Sequence, residues 1–127
     1  MERRNAPPFV HENLFGGHGE VRVWNLLAGP AEPFTAVLAC ELAPNGSVGK
    51  HVQEEFPEVV LGVAGSGEAT VDGLAHPLRA NDVVFLPLGS VLSLVNLSDT
   101  EPLRYLIIKA RGGRRGAPRE TGGSGAR

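Results

Sequence analysis

The chain has 127 residues and a formal net charge of −2, with 12 Lys and Arg against 14 Asp and Glu. That length favours one domain able to bury a core without staples, and so small a charge excludes a whole-chain field that would draw in nucleic acid or a membrane surface. No stretch approaches the roughly 18 apolar residues of a membrane span, the basic start "MERRNAPPFV" has no apolar run behind it and is not read as a signal peptide, and one cysteine, Cys40, excludes an internal disulfide and fits a reducing cytoplasm.

In chain order, residues 1–15 are expected to form an amino-terminal arm, polar and proline-containing at its start. Residues 16–110 then carry short apolar runs of strand length: "VRVWNLL", "FTAVLACELA", "EVVLGVAG", "EATVDG", "DVVFLPL", "VLSLVN" and "LRYLIIKA". They are rich in Val and Leu and bounded by turn residues. None holds a helical apolar period over 11 or more residues without Gly or Pro. Many short strands with frequent turns point to an all-β sandwich or barrel. The turn chemistry agrees, with Pro44-Asn45-Gly46 before one strand, Asp72-Gly73 as a hairpin signal and "GSG" at 65–67 as a tight bend. Residues 111–127, "RGGRRGAPRETGGSGAR", lack any large apolar side chain and are expected to be a disordered basic tail carrying Arg111, Arg114, Arg115 and Arg119.

The stretch "GKHVQEEFPE" concentrates the chemistry. Residues two apart on a strand share a face, so His51 and Gln53 project together. Glu58 opens the next apolar run, past Phe56-Pro57, where a turn brings its carboxylate back towards the pair. Three polar groups converging inside an apolar structure are costly unless they bond to each other, to a metal or to a ligand.

These spacings resemble the cupin superfamily. Its first motif, G-x5-H-x-H-x(3–4)-E-x6-G, is followed by His51, Gln53, Glu58 and Gly65, with Gly46 one residue out of place. Its second motif, G-x5-P-x-G-x2-H-x3-N, is followed by Pro87, Gly89 and Asn96 within "NDVVFLPLGSVLSLVN". Asn81 replaces the first glycine there, and Leu92 stands where the family has its last histidine. The resemblance covers about residues 20–110. It implies an all-β cupin-type double-stranded β-helix, a jelly-roll barrel in a single domain, commonly dimeric, with the site in the barrel mouth. It also implies a divalent metal on three histidines and a glutamate. Here only His51, Gln53 and Glu58 remain as candidate ligands, and imidazole suits Fe, Ni and Zn while oxygen donors suit Mn. The expectation is no cofactor, or a weakly bound Fe, Mn, Ni or Zn ion. A histidine from the amino end, His11 or His18, is the candidate replacement donor, while His76, just beyond the Asp72-Gly73 turn, is expected to face solvent.

Alternation carries the pocket further. With position 92 inward, Leu94 and Asn96 follow, and Val60 shares a face with Glu58. The expected site has Glu58 and His51 as acid–base candidates, with Val60, Phe85, Leu92, Leu94 and Asn96 as ligand-binding residues. Phe56 is a further candidate wall. A carboxyl in such an apolar mouth has its charged form disfavoured. The function expected first is binding of a small organic ligand beside a degenerate metal centre. The alternatives are a divalent-metal enzyme of dioxygenase or isomerase type, and a non-catalytic interaction or regulatory module. Apolar residues on both strand faces lead to an expected homodimer, with nucleic acid and membrane not expected as partners.

Overall fold

The computed structural model describes residues 7–112. Ten strands occur in it: β1 (Phe9–Glu12), β2 (Glu20–Asn25), β3 (Phe34–Leu42), β4 (Ser47–Val52), β5 (Glu58–Ala64), β6 (Ser66–Val71), β7 (Leu74–Arg79), β8 (Val83–Leu86), β9 (Val91–Asn96) and β10 (Leu103–Ala110). They form a six-stranded sheet in the order β1-β2-β3-β10-β5-β8 and a four-stranded sheet in the order β4-β9-β6-β7. Every pairing between strands is antiparallel. The two sheets face each other as a jelly-roll barrel, as the turn spacing and the motifs led one to expect.

Each strand obeys the two-residue period that the sequence carries. Along β9 the inward residues Leu92, Leu94 and Asn96 are buried while their neighbours are less so, and Glu58, Val60 and Gly62 form the buried row of β5. These rows meet in a core that includes Val21, Leu42, Val60, Leu78, Leu86, Leu92, Leu103 and Tyr105. Asp72 and Gly73 both take positive φ, 49° and 86°, and Val71 pairs with Leu74. That is the two-residue loop whose twist matches the flanking strands, and Asp-Gly tolerates it. Pro77 cannot donate to a ladder, and β7 accordingly lies at the edge of its sheet.

Two expectations about the ends change. The expected arm of residues 1–15 contains β1, paired with β2 through His11↔Val21 and its neighbours. A short 3-10 turn, Leu14–Gly16, follows it and docks on β4. The barrel therefore begins before residue 16; alternation is hard to see in "FVHE" because all four residues are exposed. At the other end, Arg111 is held by Glu32 through two hydrogen bonds of 3.1 Å and lies over the Phe56 ring, 5.6 Å from its centroid. The remainder of the expected basic tail, with Arg114, Arg115 and Arg119, lies outside the described residues. No described helix is long and apolar enough to cross a membrane.

Candidate ligand pocket

One end of the barrel opens into a cavity of about 470 Å³. The inward rows of β2, β3, β4, β9 and β10 line it with Val21, Val23, Leu38, Val48, Leu92, Leu94 and Ile107. His51, Gln53, Glu58, Cys40, Tyr105 and Lys109 supply its polar groups. A mostly apolar hollow with a few converging polar groups is the usual form of a small-molecule site.

A bulge aims His51 into this cavity. Val48 faces Leu94 across the β4–β9 ladder, and strict alternation from there would place Lys50 opposite Leu92. The register shifts by one residue between Val48 and His51, so that His51 faces Leu92 instead. One extra residue in a strand flips the parity of everything after it. Gly49 lies within this bulge, and a Cβ there would stand 1.8 Å from the Phe15 carbonyl oxygen. Only glycine admits that approach, which lets the turn at Leu14–Gly16 lie on β4. Phe15 then stacks on His51, with ring centroids 4.2 Å apart and planes at 17°.

Gln53 follows two residues on and is buried. Its backbone is tied to the turn before β9, its N–H donating to the Ser90 carbonyl at 2.9 Å and its carbonyl accepting from Gly89 at 2.7 Å. Its side-chain Nε2 lies 3.1 Å from His51 Nε2. An amide NH₂ only donates, so the His51 ring nitrogen accepts, while the other ring nitrogen, Nδ1, is buried with no hydrogen-bond partner among the described residues. The same side chain lies near enough to the Glu58 carboxyl to favour its charged form. Gln53 thus stands beside both the imidazole and the carboxyl.

Glu58 opens β5 between Leu86 on one side and Lys109 on the other. It is 4% exposed, and its Oε1 is buried with no hydrogen-bond partner among the described residues. Burial raises its pKa, opposed by the positive charge of Lys109 and by the nearby Gln53 amide. Burial lowers that of His51, which favours the neutral ring that the Gln53 contact requires. Deeper in, Cys40 and Tyr105 are a cross-strand pair. Burial pushes the Cys40 thiol up to about 12 and the Tyr105 hydroxyl well above its ordinary value.

Of the expected site residues, the fold brings His51, Gln53, Glu58, Leu92 and Leu94 together around the cavity, with Phe56 at its edge. Three others lie elsewhere. Phe85 is on the outer face of β8 and 62% exposed, because Val84 and Leu86 are that strand's inward pair. Val60 is wholly buried in the packed core and does not reach the cavity wall. Asn96 lies at the opposite end of the barrel, where its Nδ2 is within 3.2 Å of the carbonyls of Leu42, Ala43 and Glu101. His11 lines the rim, whereas His18 is held in a bridge to Ser47 away from the cavity. His76 is half-buried on the face it shares with Leu78 and does not meet the cavity either.

Sequence reasoning passed over Lys109, Tyr105 and Cys40 as site residues. The signal was present in "LRYLIIKA", where Leu103, Tyr105, Ile107 and Lys109 share one face and the last is a charged residue at the end of an inward row. Cys40 follows from its pairing with Tyr105, which no single strand reveals.

The family site calls for three imidazoles and a carboxylate, and this donor set does not fit it. The His51 Nε2 that a metal would take is occupied by the Gln53 amide, and Leu92 opposite His51 has no donor atom. Among the described residues no group of three or more His, Cys, Asp or Glu is placed to hold a metal ion.

Comparison with known proteins supports the same fold. The family model of the cupin domain matches residues 38–109. Dimethylsulfoniopropionate lyase DddW of Ruegeria pomeroyi is 38% identical over 72 residues, which are 55% of this chain and 47% of that protein, so the match spans about half the length of that relative. Among solved structures, a predicted oxalate decarboxylase of Thermotoga maritima superposes with a TM-score of 0.79 at 28% identity, over 87% of this chain and 96% of that one. A cupin 2 conserved barrel domain protein of Salinispora arenicola gives a TM-score of 0.62 at 32% identity, over 72% of this chain and 76% of the other. With two antiparallel sheets closed into a jelly roll, the motif spacing kept and the domain matched over more than half its length, the chain belongs to the cupin superfamily.

Proposed function

We propose that this barrel binds a small organic molecule, with its apolar body inside the cavity and its polar head at the mouth, and without a metal. The observation that carries this is the contact of the Gln53 amide with His51 Nε2, the nitrogen a metal would take, with Leu92 facing His51 where a further donor would stand. Leu92 and Leu94 make the wall beside it apolar. A cavity of about 470 Å³ falls within the range of small-ligand sites. The lone buried thiol suits a protein of the reducing cytoplasm.

Two measurements test the proposal. A ligand that binds only the native state raises the melting temperature, so a metabolite screen by thermal shift should find stabilising compounds, and Leu92→Trp, which fills the cavity, should lose them. Metal analysis of protein purified without chelator should find less than stoichiometric transition metal. One equivalent that disappears in His51→Ala would overturn the proposal.

A second reading is favoured by the likeness to a lyase: proton transfer on the bound molecule, with Glu58 as the acid–base group and neutral His51 beside it. A positioned carboxyl of raised pKa is suited to that task. A ligand from the screen, incubated with the protein in deuterated water, should exchange a carbon-bound hydrogen, and Glu58→Gln should stop the exchange. Equal exchange in the variant would leave binding as the whole function.

We also propose a homodimer through the outer face of the six-stranded sheet, where β5 and β8 turn Val63, Val83 and Phe85 to solvent at 48%, 62% and 62% exposure. Light scattering should give twice the chain mass, and Phe85→Glu should shift it towards the monomer.

A further inference from the structure

Lys109 ends the inward row of β10 at the barrel mouth, beyond Tyr105 and Ile107. It is half-buried, and among the described residues its ammonium makes no salt bridge. Its direct neighbour across the ladder is Glu58, whose Oε1 is buried and unpartnered in the same cavity. Opposed residues of an antiparallel pair hold their Cβ atoms about 4.5–5.5 Å apart, so both tips address one small head group. One tip is a cation with only donors, and the other presents an oxygen with nothing to accept from. Leaving such groups unmatched in an apolar mouth is costly.

A carboxylate with a hydroxyl on the adjacent carbon satisfies both at once. The carboxylate accepts from Lys109, and the hydroxyl donates to Glu58 Oε1. Glu54 and Glu55 stand exposed at the rim and disfavour a second negative charge on the ligand. Behind the head group, Leu38, Leu92, Leu94 and Ile107 offer a wall for a short hydrocarbon chain. We propose that the cavity is selective for small monoanionic 2-hydroxycarboxylic acids, with Lys109 as the carboxylate anchor and Glu58 as the hydroxyl acceptor. The inference rests on the ligand-binding function proposed above and specifies its ligand class.

Titration calorimetry with 2-hydroxyhexanoate, hexanoate and 2-hydroxyhexanamide tests it. The hydroxy acid should bind at least about tenfold more tightly than either control, a difference of about 1.4 kcal/mol. Lys109→Met should bind the hydroxy acid and its amide alike, while Lys109→Arg keeps the preference; thermal melts of both variants report whether they fold. Equal binding of the hydroxy acid and either control by the wild-type protein overturns the inference and leaves ligand binding standing. So does failure of all three to bind when an uncharged compound from the metabolite screen does. If neither these compounds nor any in the screen binds, the inference and the proposed function fall together.

Discussion

The two ends of the barrel interior are built from the same strands and treat buried polar groups in opposite ways. At the closed end Asn96 is 3% exposed, its amide reaches three carbonyls, one at the end of β3 and two in loops, and its Oδ1 accepts from the Ser98 N–H at 2.9 Å. At the open end Glu58 is equally buried, yet one carboxyl oxygen has no partner, and Lys109 beside it makes no ion pair among the described residues. Both residues hold motif positions of the family. A buried polar group whose bonds are complete ties the fold together; one whose bonds are incomplete at a cavity wall leaves capacity for something that enters the cavity.

The sharpest way to break this comparison is to disturb the closed end. Asn96→Ala removes the amide that reaches three carbonyls; Ala43 keeps the Gly46 N–H, and a buried group left unsatisfied costs about 1–3 kcal/mol. A loss of about 1–3 kcal/mol in urea-induced unfolding is expected, with the ligand affinity of the folded fraction unchanged. If Asn96→Ala weakened ligand binding at full stability, the assignment of the two ends would be reversed.

The open end can be pushed towards the metal site that the family motif implies. Leu92 faces His51 directly across the ladder and Gln53 lies beside both, so Gln53→His with Leu92→His gathers three imidazoles and Glu58. The double variant should bind Zn(II) or Ni(II) at least about tenfold more tightly than the parent by titration calorimetry, about 1.4 kcal/mol. Its metal-free form should be less stable, since two polar rings enter an apolar wall. Equal metal affinity would mean that Gln53 does not occupy the metal's place.

A smaller effect separates the two ends by pH. Burial raises the Glu58 pKa in the folded protein. Between its unfolded and folded values the native state therefore holds more protons than the unfolded chain, and stability falls as pH rises through that window. Asn96 does not titrate and contributes no such slope. Glu58→Gln should remove the fall, so the variant gains on the wild type in melting temperature as pH rises above the ordinary glutamate value of about 4.3. The lowered His51 pKa works the other way and is present in both proteins, so the difference isolates Glu58.

The smallest expected effect is an absence of reactivity. With its thiol pushed up to about 12, Cys40 holds almost no thiolate at about pH 8, and thiolate is the nucleophile. Iodoacetamide should leave native Cys40 unmodified by mass spectrometry over hours and label it once the protein is unfolded in urea. Rapid labelling of the native protein would show that the cavity admits water down to Tyr105.

Much of this molecule was legible in one dimension. The period of two in "VLSLVN" and "EVVLGVAG" put Leu92, Leu94 and Asn96 on one face and Glu58 with Val60 on another, and the structure keeps both rows. Asp72-Gly73 dictated its own hairpin, because few other pairs accept positive φ twice. These features are set by neighbours along the chain, so the sequence by itself determined them. What a row faces, and how far along the barrel each member lies, is set by other strands. Asn96 and Leu92 share a face but end in different places, one under the loops and one in the cavity. Phe85 points outward because Val84 and Leu86 claim the core. The β4 bulge that turns His51 inward depends on Phe15 lying against Gly49, a contact across 34 positions of chain. Lys109 became a site residue only when β10 was laid beside β5 and set it against Glu58. Tertiary structure decided these points because cross-strand register and depth in a barrel arise from pairing between distant segments, which alternation within one segment does not encode.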